Sequence, residues 1–148
     1  MIAVVERVSR ASVTVDGKTV GQIGQGLLVL LGVAQDDTDS DLDYIVRKTA
    51  NLRIFSVDDK MTSSIKDVGG QVLLVSQFTL LGDARKGNRP DFTGAAQADH
   101  AKKIYEACIE ALRAQGLDVQ TGEFGAHMSV NSCGDGPVTI LLDSKRRF

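Results

Sequence analysis

The chain has 148 residues, 43% of them hydrophobic, with 17 Lys and Arg against 19 Asp and Glu for a net charge of −2. This composition excludes a mainly disordered chain, and roughly two thirds of the unfolded surface of such a length is buried on folding, so no metal or disulfide staple is needed. A generic nucleic-acid coat would be strongly basic, and the longest apolar run, Leu27 to Leu31, is far short of the ~20 residues that span a bilayer.

The opening Met1-Ile2-Ala3-Val4-Val5-Glu6-Arg7 brings charge directly after a short apolar run, which is not a signal-peptide pattern. From Val4 onward β-forming residues alternate, and Ile2–Val15 is predicted as a long strand. Asp16-Gly17 is a hairpin turn signal, Thr19–Ile23 the returning strand, and Gly24-Gln25-Gly26 its break. Leu27–Val33 is continuous apolar chain, as expected for a buried central strand. Asp36 to Ser40 is polar, and Thr38 or Ser40 can cap a helix whose face carries Leu42, Ile45, Val46, Thr49 and Leu52. Asp36, Asp37, Asp39, Asp41 and Asp43 read as negative charge complementing the dipole at that helix start.

Arg53-Ile54-Phe55 is predicted as a short strand and Ser56–Val68 as a long loop with a turn at Asp58-Asp59. Gly69-Gly70 launches Gln71–Leu81, which begins as a buried strand. Gly82–Thr93 is polar and holds Arg85, Lys86 and Arg89. Ala95–Gln115 is helical, with Ala101, Ile104, Tyr105, Cys108 and Leu112 on one face and Gly116 placed to end it. Asp118–Thr121, Met128–Ser132 and Val138–Leu142 complete the strands, before the basic tail Lys145-Arg146-Arg147-Phe148. Long strands, two main helices and mixed connections give an α/β or α+β domain, taken as α/β with a mixed or barrel-like sheet. The whole of 1–148 is read as one domain. No G-x-G-x-x-G or P-loop follows a strand, so a doubly wound nucleotide-binding fold is not expected.

Three segments could carry chemistry. Ser76-Gln77-Phe78-Thr79 interrupts an apolar strand with polar residues. It is either an ordinary strand end or one that opens on a pocket, where hydroxyls, a carboxamide and free main-chain N–H groups hold a carbonyl or its oxyanion. Gly134-Asp135-Gly136-Pro137-Val138-Thr139 is either a plain turn or a place where backbone carbonyls face a substrate without side-chain bulk. Arg85-Lys86-Gly87-Asn88-Arg89-Pro90 is either a solvated loop or a phosphate clamp beside the pocket. His100 and His127 show no Ser-His-Asp order and are read as structural or exposed. Cys108 falls on the apolar helix stripe as a core residue, and Cys133 lies close to the Gly-Pro segment. The two cysteines fit no zinc spacing, so a reducing, cytoplasmic setting is expected, with no metal, no cofactor and no membrane partner.

At these motifs the sequence resembles the D-aminoacyl-tRNA deacylases, which hydrolyse the ester between a D-amino acid and tRNA. The likeness covers the whole chain. It includes Glu6-Arg7-Val8 with Ala11 to Val15, Gly26 to Val33, Leu52 to Phe55, a complete Ser-Gln-Phe-Thr motif at Ser76 to Thr79, Thr121 to Phe124 with Met128, and Gly-Pro-Val-Thr at Gly136 to Thr139. One position departs from the family pattern: Gly134 stands where Asn is usual, two residues before Gly136. The resemblance implies a homodimer in which Gly136 and Pro137, in a cis conformation, reach across to the partner's site and select by backbone carbonyls. An L-side chain would clash there, while D-amino acids and glycine would fit. Amides around Gln77 to Thr79 would face the ester carbonyl, Phe124 and Met128 would lie near the terminal adenine of the tRNA acceptor end, and Arg7 would hold the Gly-Pro loop. The tRNA 2′-hydroxyl would help to activate water.

An aminoacyl ester is already activated, so positioning plus oxyanion donors, each worth about 2.7–4 kcal/mol, is a sufficient kind of catalysis. Arg85, Lys86 and Arg89 are the candidates for holding the acceptor end. Two other readings stay open: an editor of glycyl or L-alanyl esters, favoured by Gly134, and a non-catalytic nucleic-acid-binding dimer working through the basic loop and tail. Duplex DNA is not an expected partner.

Overall fold

The computed structural model describes residues 1–148. In chain order its elements are β1 (Ile2–Val15), β2 (Lys18–Ile23), β3 (Gly26–Gly32), α1 (Asp39–Asn51), β4 (Phe55–Val57), β5 (Lys60–Ser63), β6 (Gln71–Ser76), a 3-10 turn (Phe78–Leu81), α2 (Ala98–Ala114), β7 (Asp118–Thr121) and β8 (Ser129–Asp143). β1 is long enough to take three partners. Its first half pairs antiparallel with β3, from Ile2 with Gly32 to Val8 with Gly26. Its second half pairs with β2, from Ala11 with Ile23 to Val15 with Lys18. β8 runs antiparallel along its other edge. β3, β6 and β7 continue the sheet in parallel.

The apolar runs of β3 and β6 are continuous because both of their faces are covered. Leu28, Leu73 and Val75 join Val8, Ala11, Val13 and Ile23 inside the curve of the sheet. Leu27, Val29, Leu31, Val72 and Leu74 pack on the other side with Ile45 and Val46 of α1 and Tyr105, Cys108 and Leu112 of α2. Gly21 lets the curve come close to shutting: a Cβ there would run into the carbonyl oxygen of Thr121, so β2 lies directly against β7. The result is a mixed, nearly closed, barrel-like sheet with two helices on its outside.

The helix signals act as their chemistry dictates. Asp41 Oδ2 accepts the Thr38 amide at 2.8 Å, one half of a capping box. Gly116 takes a positive φ of 84° after α2, and Leu117 and Gly116 donate back to Leu112 and Arg113, which closes the helix in a Schellman arrangement. The acidic stretch does more than face the helix dipole. Asp39 and Asp41 lie in the first turn of α1, but buried Asp37 accepts the Met1 ammonium at 2.5 Å. Asp41 also takes Ser144 Oγ at 2.6 Å and Lys145 Nζ at 3.1 Å.

The structure departs from the sequence reading in several places. The helix expected from Ala95 begins at Ala98, because Ala95 bridges to Ala34 instead. Ser56–Val68 is not one loop: β4 and β5 form a hairpin whose turn residues Asp58 and Asp59 have φ of 52° and 61°, and the expected strand at Arg53 starts only at Phe55. Asp tolerates the left-handed region, so an Asp-Asp pair can serve where Asn-Gly is the usual signal. Met128–Ser132 and Val138–Leu142 are not two strands. They are the ends of β8, which pairs with β1 on both sides of the Gly-Pro segment. The inner end of β8 is pinned: Arg147 Nε meets Asp143 Oδ2 at 2.6 Å, and this guanidinium holds the buried Asp143 carboxyl down to about 2.

Candidate active site

β6 is buried through Val75 and ends at Ser76. The Gln77 amide still bonds to Leu31 O at 2.8 Å, and the chain then tightens into the 3-10 turn. Gly32 makes room for this turn, since a Cβ there would sit 2.5 Å from Leu81 Cδ2 and 3.1 Å from Gln77 O. Phe78 and Thr79 open the turn, so their N–H groups have no partner within it, and no other acceptor in the chain takes them. Gln77 Nε2 donates to Thr79 Oγ1. A carboxamide is no general base, so the Thr79 hydroxyl lacks the neighbour that would activate it as a nucleophile.

Ser76, Gln77, Phe78 and Thr79 form one wall of a cavity of about 530 Å³. Phe124 to Met128 form the opposite wall, and Val33, Val75, Val130 and the small side chains Ala96, Ala98 and Ala101 complete an apolar lining. Phe124 leans on Tyr105, ring centroids 5.7 Å apart. Burial pushes the Tyr105 hydroxyl up to about 12, so it remains a neutral donor, bonded to Leu74 O at 2.8 Å. Met128 fits because residue 122 is glycine: a Cβ there would lie 2.7 Å from Met128 Sδ. His127, which the sequence set aside, also lines the cavity. No spacing marks it; the approach of residues 124–128 to the end of β6 brings it in.

Arg7, Gly136 and Pro137 lie elsewhere. Between the Glu6–Thr139 and Val8–Gly134 pairs, β8 places Asp135 to Val138 opposite Arg7 alone, so the chain bulges there, with Asp135, Gly136 and Pro137 exposed and Val138 half-buried against the core. The Gly136–Pro137 peptide is cis, and Gly136 has φ of 127°. A Cβ on Gly136 would sit 2.9 Å from Arg7 Nη2. Arg7 is buried and forked: Nε donates to Asp135 O at 3.0 Å and Nη1 to Ile54 O at 2.7 Å. One side chain thus ties the bulge to the segment before β4. Gly136 and Pro137 do not line the cavity of their own chain. Cys133 lies on β8 outside the cavity, and Cys108 is core, its thiol pushed up to about 12 by burial.

The sequence model of the family described as D-Tyr-tRNA(Tyr) deacylase matches residues 4–143. The chain belongs to this family. A D-aminoacyl-tRNA deacylase of Koribacter versatilis (strain Ellin345) is 57% identical over 149 residues, and one of Clostridioides difficile (strain 630) is 55% identical over 149, each match covering the full length of both chains. Among solved structures, a chain called c-Myc DNA Unwinding Element Binding Protein superposes with a TM-score of 0.91 at 44% identity, over 97% of this chain and 98% of the other. The deacylase-family segments therefore fall in two places here: a cavity between residues 76–79 and 124–128, and an Arg7-held bulge at Asp135–Val138.

Proposed function

We propose that this chain, as one domain spanning 1–148, hydrolyses the ester of D-aminoacyl-tRNA in the cytoplasm. The observation that carries the reading is the cavity: in a member of a tRNA-deacylase family, two unpaired amides, of Phe78 and Thr79, stand at the mouth of an apolar pocket of nucleoside size. In this reading those amides receive the ester carbonyl oxygen as it gains charge. Ser76 and Gln77 shape the turn that presents them. Phe124 and Met128 hold the terminal adenine between an aromatic face and a thioether. The 2′-hydroxyl next to the ester orients the attacking water, so the side chains need supply no nucleophile.

Selection falls to a second copy. β8 pairs only with β1, so its outer edge is open, and Val130 and Leu141 on it are exposed. In a homodimer closed along this edge, the partner's Gly136 and Pro137 reach the cavity and turn backbone carbonyls toward the substrate Cα. A D-amino acid directs its side chain away from them and glycine has none, so glycyl-tRNA is a substrate as well. The name of the solved relative at 44% identity favours a second reading, binding of DNA without hydrolysis, against which stands the net charge of −2.

The test is hydrolysis of D-tyrosyl-tRNA and L-tyrosyl-tRNA at matched protein concentration with chelator present. Cleavage of the D-ester with the L-ester spared is the expected result. A folded protein that cleaves neither, and binds duplex DNA with a steep salt dependence, would move the assignment to the second reading.

A further inference from the structure

The loop between the 3-10 turn and α2 carries charge for which the cavity has no use. Its two ends are tied together: Asp83 N donates to Asp91 O at 2.7 Å and Asp91 N to Asp83 O at 2.9 Å. The next residue, Phe92, packs edge-on against Phe78, ring centroids 5.4 Å apart. The base of the loop is therefore fixed to the turn that forms the cavity wall, while every residue from Ala84 to Pro90 is exposed.

The three cations of this tip are not equivalent. Arg85 is engaged by Asp83, with Nη2 2.5 Å from Oδ2 and Nε 2.9 Å from Oδ1, and this guanidinium holds the Asp83 carboxyl down to about 2. Lys86 and Arg89 enter no ion pair and donate to no acceptor in the chain. Both line one open concavity of about 610 Å³ with Asp83, Arg85 and Asp91, and no apolar residue shares it. Asp91 is occupied in part by the Thr93 amide, 2.7 Å from its Oδ1. A cationic surplus remains, carried by two side chains that nothing in the chain satisfies.

The geometry points to Lys86 and Arg89 as a clamp for two phosphates of the single-stranded tRNA end, next to the cavity that takes the terminal adenosine. This assignment rests on the deacylase reading of that cavity. A cavity of about 530 Å³ has room for an aminoacyl-adenosine and little else, so the preceding phosphates lie outside it, on the surface that continues from Phe78 through Phe92 to the loop. A lysine supplies a point charge and an arginine a planar fork, and both recognise phosphate whatever the base. Arg85 is left out because Asp83 already holds it.

The K86A/R89A double variant tests the clamp on two substrates, D-tyrosyl-tRNA and the D-tyrosyl ester of adenosine, which has no phosphate. The ratio of kcat/KM for the tRNA over the adenosine ester is expected to fall on the order of tenfold at low salt, through KM. Two single-strand phosphates at ~0.7 each make the log–log salt dependence shallower by about 1.4. An unchanged ratio and slope overturn the clamp, and so does an equal loss on both substrates, which would mean that the loop acts through the cavity wall. A short DNA duplex that competes as well as tRNA, through the same two residues, overturns the assignment to a tRNA end. Should the unaltered protein cleave neither ester, the deacylase reading fails instead. Binding of uncharged tRNA by the same variant then still decides the clamp, with unchanged affinity and slope overturning it.

Discussion

The cavity and the bulge are built in opposite ways. The cavity wall stands on buried elements: β6 beneath Ser76–Thr79, and α2 with Tyr105 beneath Phe124. Its lining is mostly apolar and its shape is set by glycines at 32 and 122 and alanines at 96, 98 and 101. The bulge has less foundation: of its residues only Val138 packs against the core. Its tip, Asp135 to Pro137, stands exposed on an edge strand, and the buried guanidinium of Arg7 holds it from below at Asp135. A volume filled by many weak contacts tolerates small losses, whereas a protrusion held by one forked contact does not. Changes to the cavity should therefore alter how well substrate is held, and changes beneath the bulge should alter which enantiomer is accepted.

The largest effect should come from Arg7→Ala. It leaves the carbonyls of Ile54 and Asp135 without their donor, a loss of about 3 kcal/mol in stability given the charged donor and its burial. It also frees the bulge. A displacement of about 1 Å near reacting groups is enough for a change on the order of a hundredfold, so the D-over-L preference should collapse by about that factor while D-ester cleavage survives. Arg7→Lys should restore only part of the preference, because an ammonium cannot span both carbonyls in a fixed fork. The readouts are thermal melting and paired D- and L-ester rates. A well-folded Arg7→Ala protein with full preference would show that the bulge does not depend on this tie.

A smaller and different effect is expected on the other side of the comparison. In Gly122→Ala the new methyl meets Met128 Sδ, 2.7 Å away. A thioether side chain is flexible and yields, so stability should change by less than about 1 kcal/mol. Met128 would shift into the cavity, raising KM for D-tyrosyl-tRNA by about 3–10-fold, equivalent to about 0.7–1.4 kcal/mol of binding. The rate at saturation and the D-over-L ratio should hold. A fall in the ratio would mean that cavity and bulge are not separable.

The same contrast explains what could be read in advance. The runs at 27–31 and 72–75 declare themselves because both faces of those strands are buried, and Gly116 because a helix stop needs its φ. The end of β6 at Ser76 was visible as polarity breaking an apolar run. β8 was not visible as one strand, because Gly134 to Pro137 has the local chemistry of a turn. Only pairing with β1, more than a hundred residues earlier in the chain, carries the strand through it. The β4–β5 hairpin was hidden by its short strands and its Asp-Asp turn. His127 and the alanine lining carry no motif at all, since a cavity wall is defined by what the fold leaves unfilled. The free state of Lys86 and Arg89, against the paired state of Arg85, likewise depends on geometry that spacing does not encode.

The smallest effect tests whether Arg7 is sufficient to hold the bulge. The sequence resemblance makes 134 a position where Asn is expected and Gly stands, yet nothing lies within 4 Å of a Cβ built on it, and its φ is not in the left-handed region. Its backbone is already in register opposite Val8. Gly134→Asn should therefore fit without strain and change stability by no more than about 0.5 kcal/mol. With Arg7 carrying the position of Asp135, an added carboxamide one residue earlier has little left to fix, and the D-over-L ratio should stay within about twofold of the unaltered protein, a difference of about 0.4 kcal/mol. A rise in the ratio well beyond that, with melting unchanged, would show that glycine at this position leaves the bulge looser than the Arg7 contacts imply, and that selection in this chain is held from two sides rather than one.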